Sequence, residues 1–117
     1  MTQTNKLTAS LLVEIPARFP NIRCWRSNVL NAMVTGRDGK PRMVRAGVKG
    51  QGDISGIIGP GGQRLEIEVK WGRDTQNVNQ MGFEAMIREH GGVYIIARDV
   101  EGCLEALKPL GRAEELK

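Results

Sequence analysis

The chain has 117 residues and 12.9 kDa, with 17 Lys+Arg against 13 Asp+Glu, a formal charge of +4 and a pI near 9.4. That length fits one domain, residues 1–117 with a core over about 8–108, and 40% hydrophobic against 26% charged content argues against disorder. No run approaches the ~18 apolar residues that span a bilayer, and Met1 to Lys6 lacks the apolar core of a signal peptide, so the expectation is a cytoplasmic protein with no membrane association.

Thr8 to Arg18 reads as a short helix, with Leu11, Leu12 and Ile15 at helical spacing. Pro16 should end or bend it, because proline lacks the N–H and crowds the preceding turn. Ile22 to Thr35 has the pattern of one strand or two. Gly36-Arg37-Asp38-Gly39-Lys40-Pro41 then makes a turn whose Asp-Gly pair suits positive dihedrals, and Arg42 to Val48 returns as a strand. A second hairpin joins Asp53–Ile58 to Leu65–Lys70 through Gly59-Pro60-Gly61-Gly62. Along its second strand Leu65, Ile67 and Val69 face one way, and Glu66, Glu68 and Lys70 the other.

Asp74 or Thr75 can cap a helix running to about His90, with Gly91 as its stop. Val78, Met81, Phe83, Ala85, Met86 and Ile87 cover a broad arc of it, beside a polar stripe of Gln80, Glu84 and Arg88, so the helix should be largely covered. Val93 to Ala97 is the continuous apolar run of an interior strand. Asp99 caps a closing helix with Val100, Cys103, Leu104 and Leu107 inward, and Gly111 to Lys117 reads as a frayed tail. The order is αββββαβα, an α/β fold with a mixed sheet flanked by helices.

Charge is unevenly placed. Arg18, Arg23, Arg26, Arg37, Lys40, Arg42, Arg45 and Lys49 lie in a stretch whose single acid is Asp38, a local charge of +7 against −3 elsewhere. Such a segment points to a polyanion partner, and the acidic remainder to a cation site. Cys24 and Cys103 have no CxxC spacing and His90 is the lone histidine, so free thiols are expected, with neither a structural zinc site nor an imidazole relay. Trp25 and Trp71 are expected in the core, with a wedge at a DNA junction as the alternative, and an aromatic content of 4% gives no base-stacking platform.

Residues two apart on a strand project to one side, so Glu68 and Lys70 share a small volume. There a carboxylate can hold a divalent cation while an ammonium stabilises developing phosphate charge. Asp53, on the partner strand of the hairpin, can fall near Glu68. Two carboxylates ~4 Å apart repel by roughly 4 kcal/mol at an effective dielectric of 20, and Mg²⁺ with its oxygen ligands would offset that. Such a metal would acidify a bound water and clamp a phosphate oxygen, which is what phosphodiester hydrolysis needs.

The string Gly50-Gln51-Gly52-Asp53-Ile54-Ser55-Gly56, then Glu66-Ile67-Glu68-Val69-Lys70, Gln80-Met81-Gly82-Phe83 and Gly91-Gly92-Val93-Tyr94 resembles the PD-(D/E)XK nucleases, and within them the VRR-NUC (virus-type replication-repair nuclease) branch. Trp25-Arg26-Ser27-Asn28 also fits, and the resemblance spans about Leu11 to Leu107. It implies a restriction-endonuclease-like core. It makes Asp53 and Glu68 metal ligands with the Val69 carbonyl, Lys70 the catalytic lysine, and Gln80 a helix glutamine facing the site. Glu14 is the one acid on the first helix that can serve as the family's further acid. No proline precedes Asp53, and Glu66 rivals Glu68, although the E-x-K spacing favours Glu68.

The resemblance further implies a Mg²⁺- or Mn²⁺-dependent endodeoxyribonuclease, homodimeric and structure-specific, acting on four-way (Holliday) junctions in a bacterial or phage-infected cell. Arg23, Arg26, Arg37, Lys40, Arg42, Arg45 and Lys49 would then contact DNA phosphates. Two other readings fit the same residues: a non-catalytic DNA-binding module using the basic hairpin, and a nicking or restriction-type nuclease on linear duplex.

Overall fold

The computed structural model describes residues 2–27, 31–45 and 50–112, except for the side chains at 31, 32, 44 and 45. The opening helix, α1 (Gln3–Arg18), begins earlier than the expected Thr8, because the Thr2 hydroxyl accepts from the Asn5 N–H at 3.1 Å and so caps it. Pro16 lies inside α1 and does not end it. Its missing donor falls in the last turn, where the Phe19 N–H still reaches the Ile15 carbonyl at 2.8 Å.

Five strands follow, β1 (Ile22–Arg26), β2 (Asn31–Thr35), β3 (Pro41–Arg45), β4 (Ile54–Ile58) and β5 (Gln63–Val69), then α2 (Val78–Glu89), β6 (Val93–Ala97) and α3 (Val100–Leu107). The expected order was short by one strand. Ile22 to Thr35 is two strands, and they belong to different sheets: β2 and β3 form a two-stranded hairpin, whereas β1 joins a four-stranded sheet in the order β1-β4-β5-β6. β3 stops at Arg45, and the rest of the expected Arg42–Val48 strand lies outside the described residues, as do positions 113–117 of the expected tail. β4 runs antiparallel to both β1 and β5, and β6 runs parallel to β5, so the main sheet is mixed.

Alternation along the strands separates two layers. Ile22, Ile54, Ile58, Leu65, Ile67, Val69, Ile95 and Ala97 pack against Leu7, Leu11 and Ile15 of α1 and Cys103, Leu104 and Leu107 of α3. The opposite face of the sheet carries Ser55, Glu66, Glu68 and Tyr94, with α2 beside β6. Cys24 and Cys103 are free thiols.

Two expectations about covering fail here. β6 is an edge strand, not an interior one; its apolar run reflects helices on both of its faces, and Ile96 stays exposed. On α2, Phe83 and Ile87 are the buried residues, while Val78, Met81 and Met86 are exposed. The helix is turned so that the stripe Gln80, Glu84 and Arg88 meets the polar face of the sheet. A polar sheet face recruits the polar side of its helix, and apolar count alone cannot reveal that.

Candidate active site

Asp53 stands immediately before β4, and continuation of the register that pairs Ile54 with Ile67 places it across from Glu68. Asp53 is anchored at both ends. Its Oδ2 accepts the Val69 N–H at 2.8 Å, and its carbonyl accepts the Ser27 N–H at 2.9 Å. The N–H and C=O of one strand residue point toward the same edge, so the Val69 carbonyl is directed to the Asp53 side as well.

The preceding loop explains the glycines. A Cβ on Gly50, whose φ is +85°, would overlap the Asn79 carbonyl, and one on Gly52 would stand 2.8 Å from the Ile67 carbonyl. Bare backbone at these two positions lets the loop lie against both α2 and β5, which draws the first turn of α2 down onto the carboxylates. Asn77 rather than Asp74 or Thr75 is the cap: its side chain accepts from the Gln80 N–H at 2.9 Å while Gln80 Oε1 accepts from the Asn77 N–H at 3.0 Å.

Gln80 thus has a fixed amide. Its Oε1 faces two obligate donors, the Asn77 N–H and Lys70 Nζ at 3.0 Å, so its Nε2 must be the group 2.6 Å from Glu68 Oε1. Lys70 Nζ lies 3.6 Å from the same Glu68 oxygen. Glu68 Oε2 is buried and has no hydrogen-bond partner among the described residues. Burial and, after it, the neighbouring Asp53 charge push the Glu68 carboxyl up to about 7, with Lys70 pulling the other way. Asp53, Glu68, Lys70 and Gln80 therefore form one cluster on one face of the sheet.

Glu66, the rival acid, is differently employed. It is 0% exposed, and Ser55 Oγ donates to both of its oxygens at 3.0 Å. Arg64 adds Nε at 3.1 Å and Nη2 at 2.6 Å to Oε1. Both of its oxygens are engaged, whereas Oε2 of Glu68 has no partner among the described residues. Glu14 is not brought to the cluster: it is exposed near the C-terminal end of α1, and α1 packs on the opposite sheet face.

The basic residues divide. Arg23 lies on the carboxylate face, opposite Ile57, whereas Arg26 alternates to the other face and reaches Asn5 Oδ1 at 3.4 Å. Arg37 and Lys40 are exposed at the turn of the β2–β3 hairpin. Arg42 is held by Asp38 at 2.8 Å, and the Asp38 carboxyl is lowered by the Lys40 N–H and then by Arg42. The Arg45 side chain and Lys49 lie outside the described residues.

Three neighbours of the cluster escaped the sequence reading. Ser55 and Arg64 are visible only through strand parity, as same-face neighbours of Asp53 and Glu66. Tyr94 is buried behind the cluster, its hydroxyl 3.3 Å from Gln76 Nε2 and pushed up to about 12 by burial. Trp25, expected in the core, is 48% exposed on the carboxylate face, and Trp71, after Lys70, is 49% exposed.

A divalent cation fits the donor set. Among the described residues no three His, Cys, Asp or Glu side chains gather as a cage. Mg²⁺ does not require one; it commonly takes one or two carboxylates and leaves its other positions to water and phosphate oxygens. Two neighbouring carboxylates, one with an orphaned buried oxygen and a raised pKa, suit that ion. No helix among the described residues is long and apolar enough to cross a membrane. Compared with family models, with curated proteins and with solved structures, the chain matches none, so the chemistry of the cluster rests on its own geometry.

Proposed function

We propose that the chain is a divalent-metal-dependent DNA endonuclease of the PD-(D/E)XK type, VRR-NUC branch, cutting phosphodiester bonds in branched DNA such as four-way junctions. The observation that carries this reading is the buried, unpartnered Glu68 Oε2 beside Asp53 and Lys70. An orphaned carboxylate oxygen costs about 1–3 kcal/mol or more when buried, and a site that retains it has a use for it.

Asp53, Glu68 and the Val69 carbonyl would hold Mg²⁺ or Mn²⁺, which when bound supplies Lewis acidity toward the phosphodiester. The chain's own groups do the rest. Lys70, whose side chain is 13% exposed, stands beside the pair, where its charge stabilises negative charge accumulating on the phosphoryl oxygens. Gln80 holds that ammonium in place through Oε1 and holds Glu68 through Nε2. Arg37 and Lys40 on the hairpin would take phosphates of a duplex arm, with a salt-sensitive and sequence-independent attraction. A homodimer supplies two such sites to symmetric strands of a junction.

The test is cleavage of a labelled four-way junction, a flap and a linear duplex at equal concentration, with Mg²⁺, Mn²⁺ or EDTA. Metal-dependent cutting, greatest on the junction and lost in Lys70→Ala with junction binding retained, is the expected result. Full activity of Lys70→Ala, or binding indifferent to metal without any cutting, overturns it. Equal cutting of linear duplex would leave the chemistry and refute the junction preference.

A further inference from the structure

The sheet face that bears Asp53 and Glu68 is only partly covered. α2 packs over β6, and on the half formed by β1 and β4 Ser55 is covered by Ser27 and Gln51 while Trp25 and Ile57 remain 48% and 43% exposed. The registers place residues of this face in rows. Trp25, Ser55 and Glu66 make one row across β1, β4 and β5; Arg23, Ile57 and Arg64 make the next, away from the carboxylate pair. Asp53 and Glu68 make the row on the other side. Trp25 therefore stands one row, about 7 Å along the strands, from the cluster.

Beneath this open surface lies a buried device with no role in the cluster. Ser55 has one hydroxyl proton and gives it to Glu66, so Ser27 Oγ, 2.5 Å away, must donate to Ser55. Gln51 Nε2 also reaches Ser55 Oγ at 3.3 Å. Glu66 grips Arg64 by Nε and Nη2, and the Arg64 side chain is still 49% exposed. A fully buried carboxylate is expensive to keep, and here it fixes one guanidinium at the rim of the site.

We propose that Trp25, Arg23 and Arg64 form a binding site for an unpaired segment of DNA, with a base stacked on the Trp25 indole and its phosphates held at Arg23 and Arg64. Every base has a π-face, so an exposed indole flanked by two guanidinium groups suits a strand that has left its duplex and does not suit a paired one. A strand so held would lead into the Asp53–Glu68 pair, an extension that rests on the nuclease reading. The binding itself does not.

The experiment is done in EDTA, where no cutting intervenes. Titration of a Trp71→Phe variant with a short oligo-dT should quench the remaining Trp25 emission, saturably and less so at higher salt. By anisotropy of a labelled oligo-dT, Trp25→Ala should weaken binding about tenfold or more and Arg64→Ala several-fold, with Trp25→Phe restoring part of the loss. Affinity for blunt linear duplex should change less than twofold in Trp25→Ala. Unquenched emission at saturating oligo-dT, or equal oligo-dT affinity of wild type and Trp25→Ala, overturns the proposal. So does an equal loss on single strand and duplex. If Trp25-dependent binding is found but no DNA is cut with Mg²⁺ or Mn²⁺, the nuclease reading fails and this site stands. Metal-dependent cutting with Trp25-independent binding overturns this site and leaves the nuclease reading in place.

Discussion

Gln80 donates its amide to Glu68 Oε1 at 2.6 Å, and this hydrogen bond ties the first turn of α2 to the acidic end of β5. The same side chain closes the capping box with Asn77 and accepts from Lys70, so three jobs fall on one residue. Gln80→Ala should lower stability by about 1 kcal/mol through the lost cap. It should also lower kcat on junction DNA by tenfold or more through a loosened Lys70, with KM little changed. Parallel thermal melts and turnover measurements separate the two effects. Turnover unchanged despite a lower Tm would show that Gln80 only caps.

The raised Glu68 carboxyl makes stability depend on pH with a definite sign. Its folded pKa of about 7 exceeds the ordinary value of 4.5, so the native state binds the extra proton between these two values. The stabilisation is therefore complete below about 4.5 and fades as pH rises through about 7. At roughly 1.4 kcal/mol per unit, the metal-free protein should lose on the order of 2–3 kcal/mol from this group between about pH 5 and 8. Glu68→Gln should lose this part of the pH slope, keeping only what other raised acids such as Glu66 contribute, and melt higher than wild type at the alkaline end. Denaturant unfolding of both proteins in EDTA at the two pH values measures it; equal pH slopes would refute the burial argument.

Cation binding should be visible without any DNA. If Mg²⁺ or Mn²⁺ relieves the Asp53–Glu68 repulsion, wild type should gain thermal stability with metal, by about 2.7 kcal/mol at roughly a hundred times Kd. Asp53→Asn and Glu68→Gln should each remove most of that gain, whereas Glu66→Gln should not, because Glu66 is occupied by Ser55 and Arg64. A gain preserved in Asp53→Asn would place the cation elsewhere.

The hairpin turn offers a purely electrostatic measurement. Arg37 and Lys40 are exposed, and Asp38 is already committed to Arg42. If both contact phosphates, replacing the pair with alanine should flatten the dependence of log K on log salt by about 2, uniformly across DNA sequences. An unchanged slope would mean that the hairpin does not touch the backbone.

Much of the cluster was legible because β-strand parity is rigid. With side chains alternating at a period of two, Glu68 and Lys70 must share a face. An Asp53 one hairpin arm away must then return near them if the Gly59–Gly62 turn closes. Both Glu66 and Glu68 sit on that face, and the E-x-K spacing to Lys70 was the one local feature that favoured Glu68. Their difference came from Ser55 and Arg64, which occupy Glu66 alone. The helix cap was misplaced by a few residues for a similar reason: Asp74, Thr75 and Asn77 are all competent caps, and the loop at Gly50 selects Asn77 by fixing where α2 can begin. The tryptophans were misread because composition reports how many aromatic residues exist and not which face they take.

By itself, then, the chain order of amino acids determined most of the elements, the nearness of Asp53 to Glu68 and the common side of Lys70, since these follow from short-range periodicity and one tight turn. Tertiary structure alone decided what each side chain meets across the sheet and under the helix. It left one oxygen of Glu68 without a partner, buried Glu66 beneath Arg64, turned the polar stripe of α2 inward and kept Trp25 in the open. Burial and partnering depend on contacts between segments far apart in the chain, and no local pattern encodes them.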